Sequence, residues 1–267
     1  MGLKLTEYKD TDNNTLFDVA IDLEHNDGLD MSLSGNPTVM GVKGLQVFSL
    51  FRRRRLSTNE ADGNPLIYAL KNLKQFRINE ENIAIMWDTA EKVFANWACP
   101  WKPTGVISIP SRHSASSDLA AKISEWMGID HISESMICKK TIKEVLIEAE
   151  RLKESGGVPQ QDLKAFKKQL GRLSTAPSGK TFQMKEIKDV SVRHYFEPWK
   201  ATGEAGKATQ HEVLLVDDLI GSGASLMTCA KFLIDNGYPV VGGMSLFSPL
   251  DREMAQSAIP QRRRHKR

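Results

Sequence analysis

The stretch from residue 213 to residue 225 decides the fold. It reads Val213-Leu-Leu-Val-Asp-Asp-Leu-Ile-Gly-Ser-Gly-Ala-Ser225. The apolar run at its start predicts a buried strand, and the small residues after Ile220 predict a short turn that opens a helix. Elsewhere in the chain strands also alternate with helices. This alternation predicts an α/β fold with a mostly parallel, doubly wound sheet covered by helices on both faces.

The same stretch predicts an anion site beside two carboxylates. Asp217 and Asp218 come at the carboxyl end of the strand, where ligands bind in open α/β sheets. Glycines permit a tight turn, and backbone N–H groups, hydroxyls and the positive end of a helix together suit a phosphate. The residues expected to bind it are Gly221, Ser222, Gly223, Ala224 and Ser225. Carboxylates would repel that phosphate, so we expect them to contact sugar hydroxyls or Mg²⁺, which predicts a sugar phosphate as ligand.

Three other kinds of site or structure contain part of this pattern. A dinucleotide-binding Gly-x-Gly-x-x-Gly loop does not fit, because Leu226 stands where the third glycine belongs. An ATPase strand also ends in Asp-Asp, but it needs a phosphate loop of which Pro177-Ser-Gly-Lys-Thr181 supplies only the end, with Ser174 at the first glycine position. A purely structural strand–turn–helix stays open, although carboxylates at a buried strand end are costly.

Further strands and helices are predicted on either side of this stretch. Gly105-Val-Ile-Ser-Ile109 reads as a buried strand that runs into the loop 110–117, and a helix is expected from Asp118 to Met127. After residue 225 the spacing predicts a helix from Leu226 to Asn236 and a strand from Pro239 to Phe247.

The pattern of apolar, polar and turn-forming residues changes along the chain and predicts three parts. We expect an N-terminal extension or small cap at residues 1–62, the main domain at residues 63–250, and a basic C-terminal tail at residues 251–267. The main domain carries an insertion at about 139–210, which is polar and rich in lysine. One helix is expected in it, Gln161–Leu173, within mobile or lid-like structure rather than core.

Composition bounds the class of protein. Apolar residues make up 40% and charged residues 26%, as in ordinary globular chains. No apolar run approaches the ~18–20 residues of a membrane helix, so we expect no membrane contact. Cys99, Cys138 and Cys229 lie far apart, which argues against a disulfide scaffold or zinc site and predicts a reduced, cytoplasmic protein.

Charge is concentrated at the C-terminus. The net charge is +3, and five positive charges lie in residues 262–267, which leaves −2 for residues 1–261. Such a cluster is typical either of a solvated chain end or of contact with nucleic acid or another acidic partner.

The quoted stretch resembles the phosphoribosyl pyrophosphate (PRPP) signature of type I phosphoribosyltransferases. It departs from that signature at Gly221, where the family usually has Ser, Thr, Ala, Val or Asp. Tyr68-Ala-Leu-Lys-Asn72, the two following helices and the strand into Ile109-Pro-Ser-Arg112 are similar to the ComF-like branch, which is associated with competence and DNA uptake. The chain differs from that branch in lacking an N-terminal cysteine zinc finger, and its first loop continues as His113-Ser-Ala-Ser-Ser117.

The resemblance implies a role for each matching residue. Residues 221–225 would hold the 5′-phosphate of PRPP. Asp217 and Asp218 would hold the ribose hydroxyls and, through substrate or water, Mg²⁺. The pyrophosphate would lie at Ser111, Arg112 and His113, with Arg112 as its charge partner.

The resemblance also implies a reaction. Asp217, Asp218 and Arg112 would assist transfer of the phosphoribosyl group to a nitrogenous acceptor, with release of pyrophosphate. Lys139 or Lys140 of the insertion would reach the leaving group, and the protein would be a homo-oligomer. The alternative is a non-enzymatic PRPP-binding regulator, or a component of a DNA-uptake or defence system.

Overall fold

A computed structural model describes residues 1–42, 44–54, 65–202 and 211–250. The strands within these residues are β1 (Gly2–Lys9), β2 (Thr15–Asp22), β3 (Leu29–Asp30), β4 (Thr38–Val42), β5 (Leu45–Arg53), β6 (Phe76–Arg77), β7 (Gly105–Ser108), β8 (Asp130–His131), β9 (Ile137–Lys139), β10 (Trp199–Ala201), β11 (Val213–Leu219) and β12 (Val240–Leu250). The α-helices are α1 (Pro65–Leu70), α2 (Glu80–Ala95), α3 (Ala115–Met127), α4 (Ile142–Glu154), α5 (Gln160–Leu173) and α6 (Ala224–Asp235). Of the helices in these ranges, none is long and apolar enough to cross a lipid bilayer.

The main sheet is mixed and mostly parallel. Its central strands follow the order β5-β12-β11-β7-β8 and are all parallel, while β3 and β4 pair antiparallel with β5 at one edge. Helices pack on both faces of this sheet. The α/β fold with a mostly parallel sheet is therefore confirmed, and it is compatible with a doubly wound arrangement.

The position of β11 in the sheet explains why residues 213–216 are all apolar. Leu214 and Val216 belong to the apolar cluster that packs against α2 and α3. Val213 and Leu215 belong to the cluster beneath α6 on the other face. Successive side chains of a strand point to opposite faces, so a strand covered on both sides needs apolar residues at every position.

The order of the strands creates a crevice between β7 and β11. From β7 the chain crosses through α3 to β8 on one side, and from β11 it crosses through α6 to β12 on the other. The backbone N–H of Ile109 donates to the carbonyl of Val216 (2.8 Å), which extends this pairing to the strand ends. The loop after β7 and the turn after β11 therefore lie side by side at a switch point, where α/β folds bind ligands.

The N-terminal stretch contributes to two sheets. Strands β1, β2 and β6 form a separate three-stranded sheet, whereas β3, β4 and β5 lie in the main sheet. Leu50 and Phe51 of β5 are fully buried in the main core. The N-terminal stretch is thus partly continuous with the core domain. The expected boundary at residue 62 and the basic tail 251–267 lie outside the described residues.

The insertion has a core of its own, contrary to the expectation of lid-like structure without one. Helix α4 buries Ile142 and Val145, and α5 buries Phe166 and Leu170, all in one apolar cluster. Apolar residues recur at helical spacing in both helices, but lysines and glutamates between them conceal the pattern in the overall composition. The predicted helix Gln161–Leu173 is confirmed as α5, whereas α4 was not predicted.

The insertion contacts α6 of the main domain at two places. At its base, where the chain leaves and returns, strands β9 and β10 form an antiparallel ribbon. The indole Nε1 of the buried Trp199 donates to Thr228 Oγ1 on α6 (3.0 Å). Ala224, the first residue of α6, belongs to the same apolar cluster as the insertion helices. The packing of the insertion therefore bears directly on the turn after β11.

Substitution of Phe166 tests this core. The ring is fully buried, with its centroid 4.9 Å from that of Phe196. We expect Phe166→Ala to lower the free energy of unfolding by about 3–5 kcal/mol, because it removes a large buried side chain and leaves a cavity. The measurement is urea unfolding. Lys167→Ala, at an exposed neighbouring position, should change stability by no more than about 0.5 kcal/mol. Equal effects of the two variants would contradict a packed insertion.

Candidate active site at the carboxyl end of β11

The two adjacent acids at the end of β11 have different surroundings. Asp217 lines a cavity of about 170 Å³ together with the turn 221–225. Asp218 is only 4% exposed and its Oδ2 lies 2.5 Å from Nζ of Lys71, which follows α1. The alternation of the strand is the cause, since Asp217 follows the face under α6 and Asp218 the face under α1–α3. Sequence reasoning placed both carboxylates on the ligand, whereas only Asp217 lines this cavity.

Asp217 is half-buried and accepts hydrogen bonds from two neighbouring residues. Its Oδ1 accepts hydrogen bonds from the backbone N–H of Asp218 (2.9 Å) and from Ser116 Oγ (3.4 Å). Burial, and then the nearby charge of Asp218, raise the pKa of Asp217 to about 7. A carboxyl group whose pKa is raised in this way is typical of a functional site, because a charge there is costly until a ligand or cation arrives.

The turn after β11 presents unused backbone donors. Ile220 N–H donates to the carbonyl of Phe247 (3.1 Å), which fixes the start of the turn. Gly223 adopts φ 71° and begins α6. Among the described residues, none accepts a hydrogen bond from the backbone amides of residues 221–225, and these residues line the cavity. Free amides at the positive end of a helix suit an anion, as the sequence predicted.

Two cations of the insertion line the same cavity, and sequence reasoning missed both. Arg193 Nε donates to the carbonyl of Ile187 (2.8 Å), and its Nη1 donates to Ser222 Oγ (3.2 Å). Burial lowers the pKa of Arg193, but a guanidinium stays charged at neutral pH. Lys185 is the second cation. Neither belongs to a motif, so their place beside the turn follows from the packing of the insertion.

Lys139, rather than Lys140, faces the carboxylates. Burial lowers the pKa of Lys139; the charges of Asp217 and Asp218 oppose this shift, and that of Arg112 adds to it. Lys140 is buried and donates instead to Glu148 on α4. Of the two lysines named from the sequence, Lys139 is therefore the one on which the charges of the carboxylates act, whereas Lys140 is paired with Glu148.

The loop after β7 lies at the edge of the site. Ser111 and Arg112 are exposed and His113 is half-buried, with its N–H donating to Ser111 Oγ (3.3 Å). Arg112 lies close enough to Lys139 to affect its pKa. None of these three residues is among the described residues that line the cavity at 221–225. Arg112 thus adds a positive charge close to Lys139 but outside the cavity at 221–225.

Lys71 is a further site residue that sequence reasoning did not single out. It lies within the segment 68–72, which was quoted for the family resemblance, but no role was assigned to it there. Its ammonium is mostly buried against Asp218. A signal was present in principle, because a lysine at the end of an apolar helix requires an acidic partner when it is buried.

A magnesium ion would find few protein ligands at this site. The described part of the chain holds no group of three or more His, Cys, Asp or Glu residues that could bind a metal. Asp217 is the single carboxylate among the described residues that line the cavity. Mg²⁺ in phosphate sites commonly takes one or two carboxylates and completes its shell with water and phosphate oxygens. The residues present fit that kind of magnesium and not an all-protein cage.

Comparison with known proteins adds no assignment. No protein-family profile matches the chain, and no curated protein matches its sequence. The site is therefore interpreted from its chemistry alone. It combines the backbone amides of residues 221–225, which have no acceptor among the described residues, with two cations and one carboxylate that can accept hydrogen bonds from hydroxyl groups.

Substitutions of the two turn glycines test this geometry. A Cβ on Gly223 would lie 2.7 Å from Val42 Cγ1 and would need φ 71°, whereas a Cβ on Gly221 meets no atom within 4 Å. We expect Gly223→Ala to lower the free energy of unfolding by about 1–2 kcal/mol or more, and Gly221→Ala by less than about 0.5 kcal/mol. Thermal unfolding of both variants measures the difference. Equal losses would show that the turn has another conformation.

The pH dependence of stability tests the environment of Asp217. Its pKa is raised on folding from 3.8 to about 7, so between these values the folded state holds a proton that the unfolded state lacks. Stability therefore falls as pH rises through this range. From pH 4 to pH 8, the wild type should therefore lose about 1–3 kcal/mol of unfolding free energy relative to Asp217→Asn, which lacks the titrating carboxyl group. Urea unfolding at several pH values measures this.

A surface carboxylate provides the control for that experiment. Asp88 lies on the surface of α2 beside Lys92, with its side chain 64% exposed. Asp88→Asn should follow the wild-type pH profile. If the Asp217→Asn and wild-type profiles run parallel, Asp217 does not carry the raised pKa.

Proposed function

We propose that this chain binds PRPP with magnesium and transfers its phosphoribosyl group to a nitrogenous acceptor, on a type I phosphoribosyltransferase-like fold. One observation carries the proposal. The free amides of residues 221–225 and the guanidinium of Arg193 surround a cavity that Asp217 also lines. A phosphate and a hydroxyl-bearing sugar on the same molecule would satisfy both groups at once.

In this proposal the 5′-phosphate lies against the turn. Backbone donors, the hydroxyls of Ser222 and Ser225, and Arg193 would share its oxygens. Arg193 already donates to Ser222, so it is held in place before the ligand arrives, which lowers the entropic cost of binding.

The ribose hydroxyls would then donate to Asp217. We assign a positioning role to Asp218, because its carboxylate forms an ion pair with Lys71 and its backbone N–H donates to Asp217 Oδ1. The sugar would place its anomeric carbon near the carboxylates, toward the loop after β7.

The pyrophosphate is proposed to lie between Arg112 and Lys139. The charges of Asp217, Asp218 and Arg112 all act on Lys139, and neither cation lines the cavity at the turn. Magnesium, when bound, would supply further neutralisation of the leaving group. A multiply charged leaving group needs several cations, and this side of the site supplies them from two elements of the chain.

The reaction would proceed by displacement at the anomeric carbon. The lone pair of the acceptor nitrogen forms the new C–N bond while the bond from C1 to the pyrophosphate oxygen breaks, and that oxygen keeps the electron pair. A proton on the acceptor nitrogen leaves to solvent or to pyrophosphate. Positive charge that develops on the ribose would be stabilised by Asp217, and no nucleophile from the protein is required.

Calorimetric titration with PRPP and Mg²⁺ tests the binding step. We expect Arg193→Ala and Ser222→Ala each to weaken binding about tenfold or more, because each removes a hydrogen bond to a charged phosphate. Lys188→Ala and Ser174→Ala are matched controls. Both lie on the exposed surface of the insertion and do not line the cavity, and they should bind as the wild type does.

Pyrophosphate release then separates an enzyme from a binding protein. Release that requires both PRPP and a nucleobase supports transfer. Tight PRPP binding without release, across a panel of nucleobases, would favour the alternative of a PRPP-binding regulator. If millimolar PRPP does not bind at all, or if the Arg193 and Ser222 variants bind it unchanged, the proposal is wrong.

A further inference from the structure

A second cavity, of about 370 Å³, is enclosed by α1, the residues around β6, α2 and the start of α3. None of the described residues that line it belongs to the turn 221–225, so it is separate from the phosphate cavity. Its apolar walls come from Leu70, Ile78 and Ile83, and the half-buried Trp87 adds an indole. Small organic ligands usually bind in concave sites of ~300–1,000 Å³ with such walls.

The same cavity carries one exposed charge of each sign, on different walls. Arg77 comes from β6 and Asp118 from the first turn of α3. Arg77 Nη1 donates to the carbonyl of Phe76 (3.1 Å), and Asp18, opposite Arg77 in the pairing of β2 with β6, forms no ion pair with it. Within the described residues, the Asp118 carboxylate accepts no hydrogen bond. A ligand with both a negative and a positive group would therefore find a charged partner for each.

Neutral polar groups line the cavity beside these charges. Ser114 is the N-cap of α3, but its side chain makes no capping hydrogen bond. The Asn72 amide and the Trp87 indole N–H form no hydrogen bond with any residue that the structure describes. An amide and a hydroxyl can each donate and accept, and an indole N–H can donate. These groups could therefore complete the hydrogen bonds of a bound carboxylate and a bound ammonium.

The wall formed by the loop after α1 is held in one conformation by local contacts. Asn72, Lys74 and Gln75 all have positive φ, at 53°, 50° and 65°, a region that lysine and glutamine rarely adopt. Leu73 N–H donates to the carbonyl of Tyr68 (2.8 Å), and Lys74 Nζ donates to the Tyr68 hydroxyl (2.7 Å). A wall that is fixed before the ligand arrives lowers the entropic cost of binding.

We propose that this second cavity binds a small zwitterion with an apolar body, either a free amino acid with a large apolar side chain or a dipeptide of such residues. Arg77 holds the carboxylate, since a guanidinium pairs with carboxylate oxygens in a fork, and Asp118 accepts from the ammonium. The apolar side chain lies against Leu70, Ile83 and the indole of Trp87. Binding there requires neither PRPP nor group transfer, so this site is independent of the proposed function.

Calorimetric titration of the full chain with L-leucine and with L-leucyl-L-leucine, without PRPP, tests this inference. Binding of leucine identifies a free amino acid as the ligand, and binding of the dipeptide alone identifies a dipeptide. N-Acetyl-L-leucine lacks the ammonium and isoamylamine lacks the carboxylate, while both keep the apolar group. We expect each control ligand to bind about tenfold more weakly than leucine or the dipeptide, or less tightly still, because it loses one charged hydrogen-bonding pair.

Variants of the two charged residues locate the binding. Arg77→Gln and Asp118→Asn should each weaken binding of the zwitterion about tenfold, and both positions are exposed, so the fold should tolerate them. Asp118→Asn should also lose the preference over N-acetyl-L-leucine, which a merely structural effect would not remove. Arg172→Gln and Asp88→Asn, exposed and outside the cavity, are matched controls and should bind as the wild type does.

Three results would overturn this assignment. Neither leucine nor its dipeptide binds at millimolar concentration, the two control ligands bind as tightly as the zwitterions, or Arg77→Gln and Asp118→Asn bind them unchanged. Because every titration is made without PRPP, each of these results leaves the test of PRPP binding unaffected.

Discussion

Two carboxylates meet at the end of a strand that is buried on both faces, and the surrounding structure has to compensate for their charge. Lys71 forms an ion pair with Asp218, and its Nζ lies 2.5 Å from Asp218 Oδ2. Asp217 has no such ion pair, and its raised pKa reflects burial and the neighbouring acid. Lys139 and Arg193 approach it from the insertion. An incompletely balanced carboxylate costs stability, and such a cost is expected where a ligand completes the balance.

The insertion is the element that completes the site. Its helices bury Phe166 and neighbouring side chains in a separate core, and Ala224 of α6 belongs to that core. The same core includes Val192 of the 3₁₀-helix Val190–Tyr195, and this short helix carries Arg193 against the turn at Ser222. A mobile segment could not hold a guanidinium at a fixed place beside the turn 221–225, whereas a packed insertion can. The stability of that core therefore bears on the position of Arg193 at Ser222.

Local patterns predicted a large part of the sheet and of the turn. The strand at 213, the helices α3 and α5, and a tight turn at the glycines before α6 all follow from short-range rules of periodicity and turn chemistry. The residues that were missed are those with partners far away in the chain. Lys71 contacts Asp218, and Arg193 contacts Ser222, across long separations that no local pattern encodes. The separate core of the insertion was concealed because lysines surround its apolar positions.

Within residues 213–225, the order of residue types alone specifies a buried strand, two acids and a tight glycine-containing turn, because backbone geometry is a local property. Only the structure shows that glycine is required at 223 and not at 221, since a Cβ on Gly223 would meet the distant Val42. Which acid meets a ligand is not local. It depends on which helices cover each face of the sheet, and these place Lys71 under one acid and a cavity beside the other. The cations of the insertion likewise reach the turn only once distant segments have packed together.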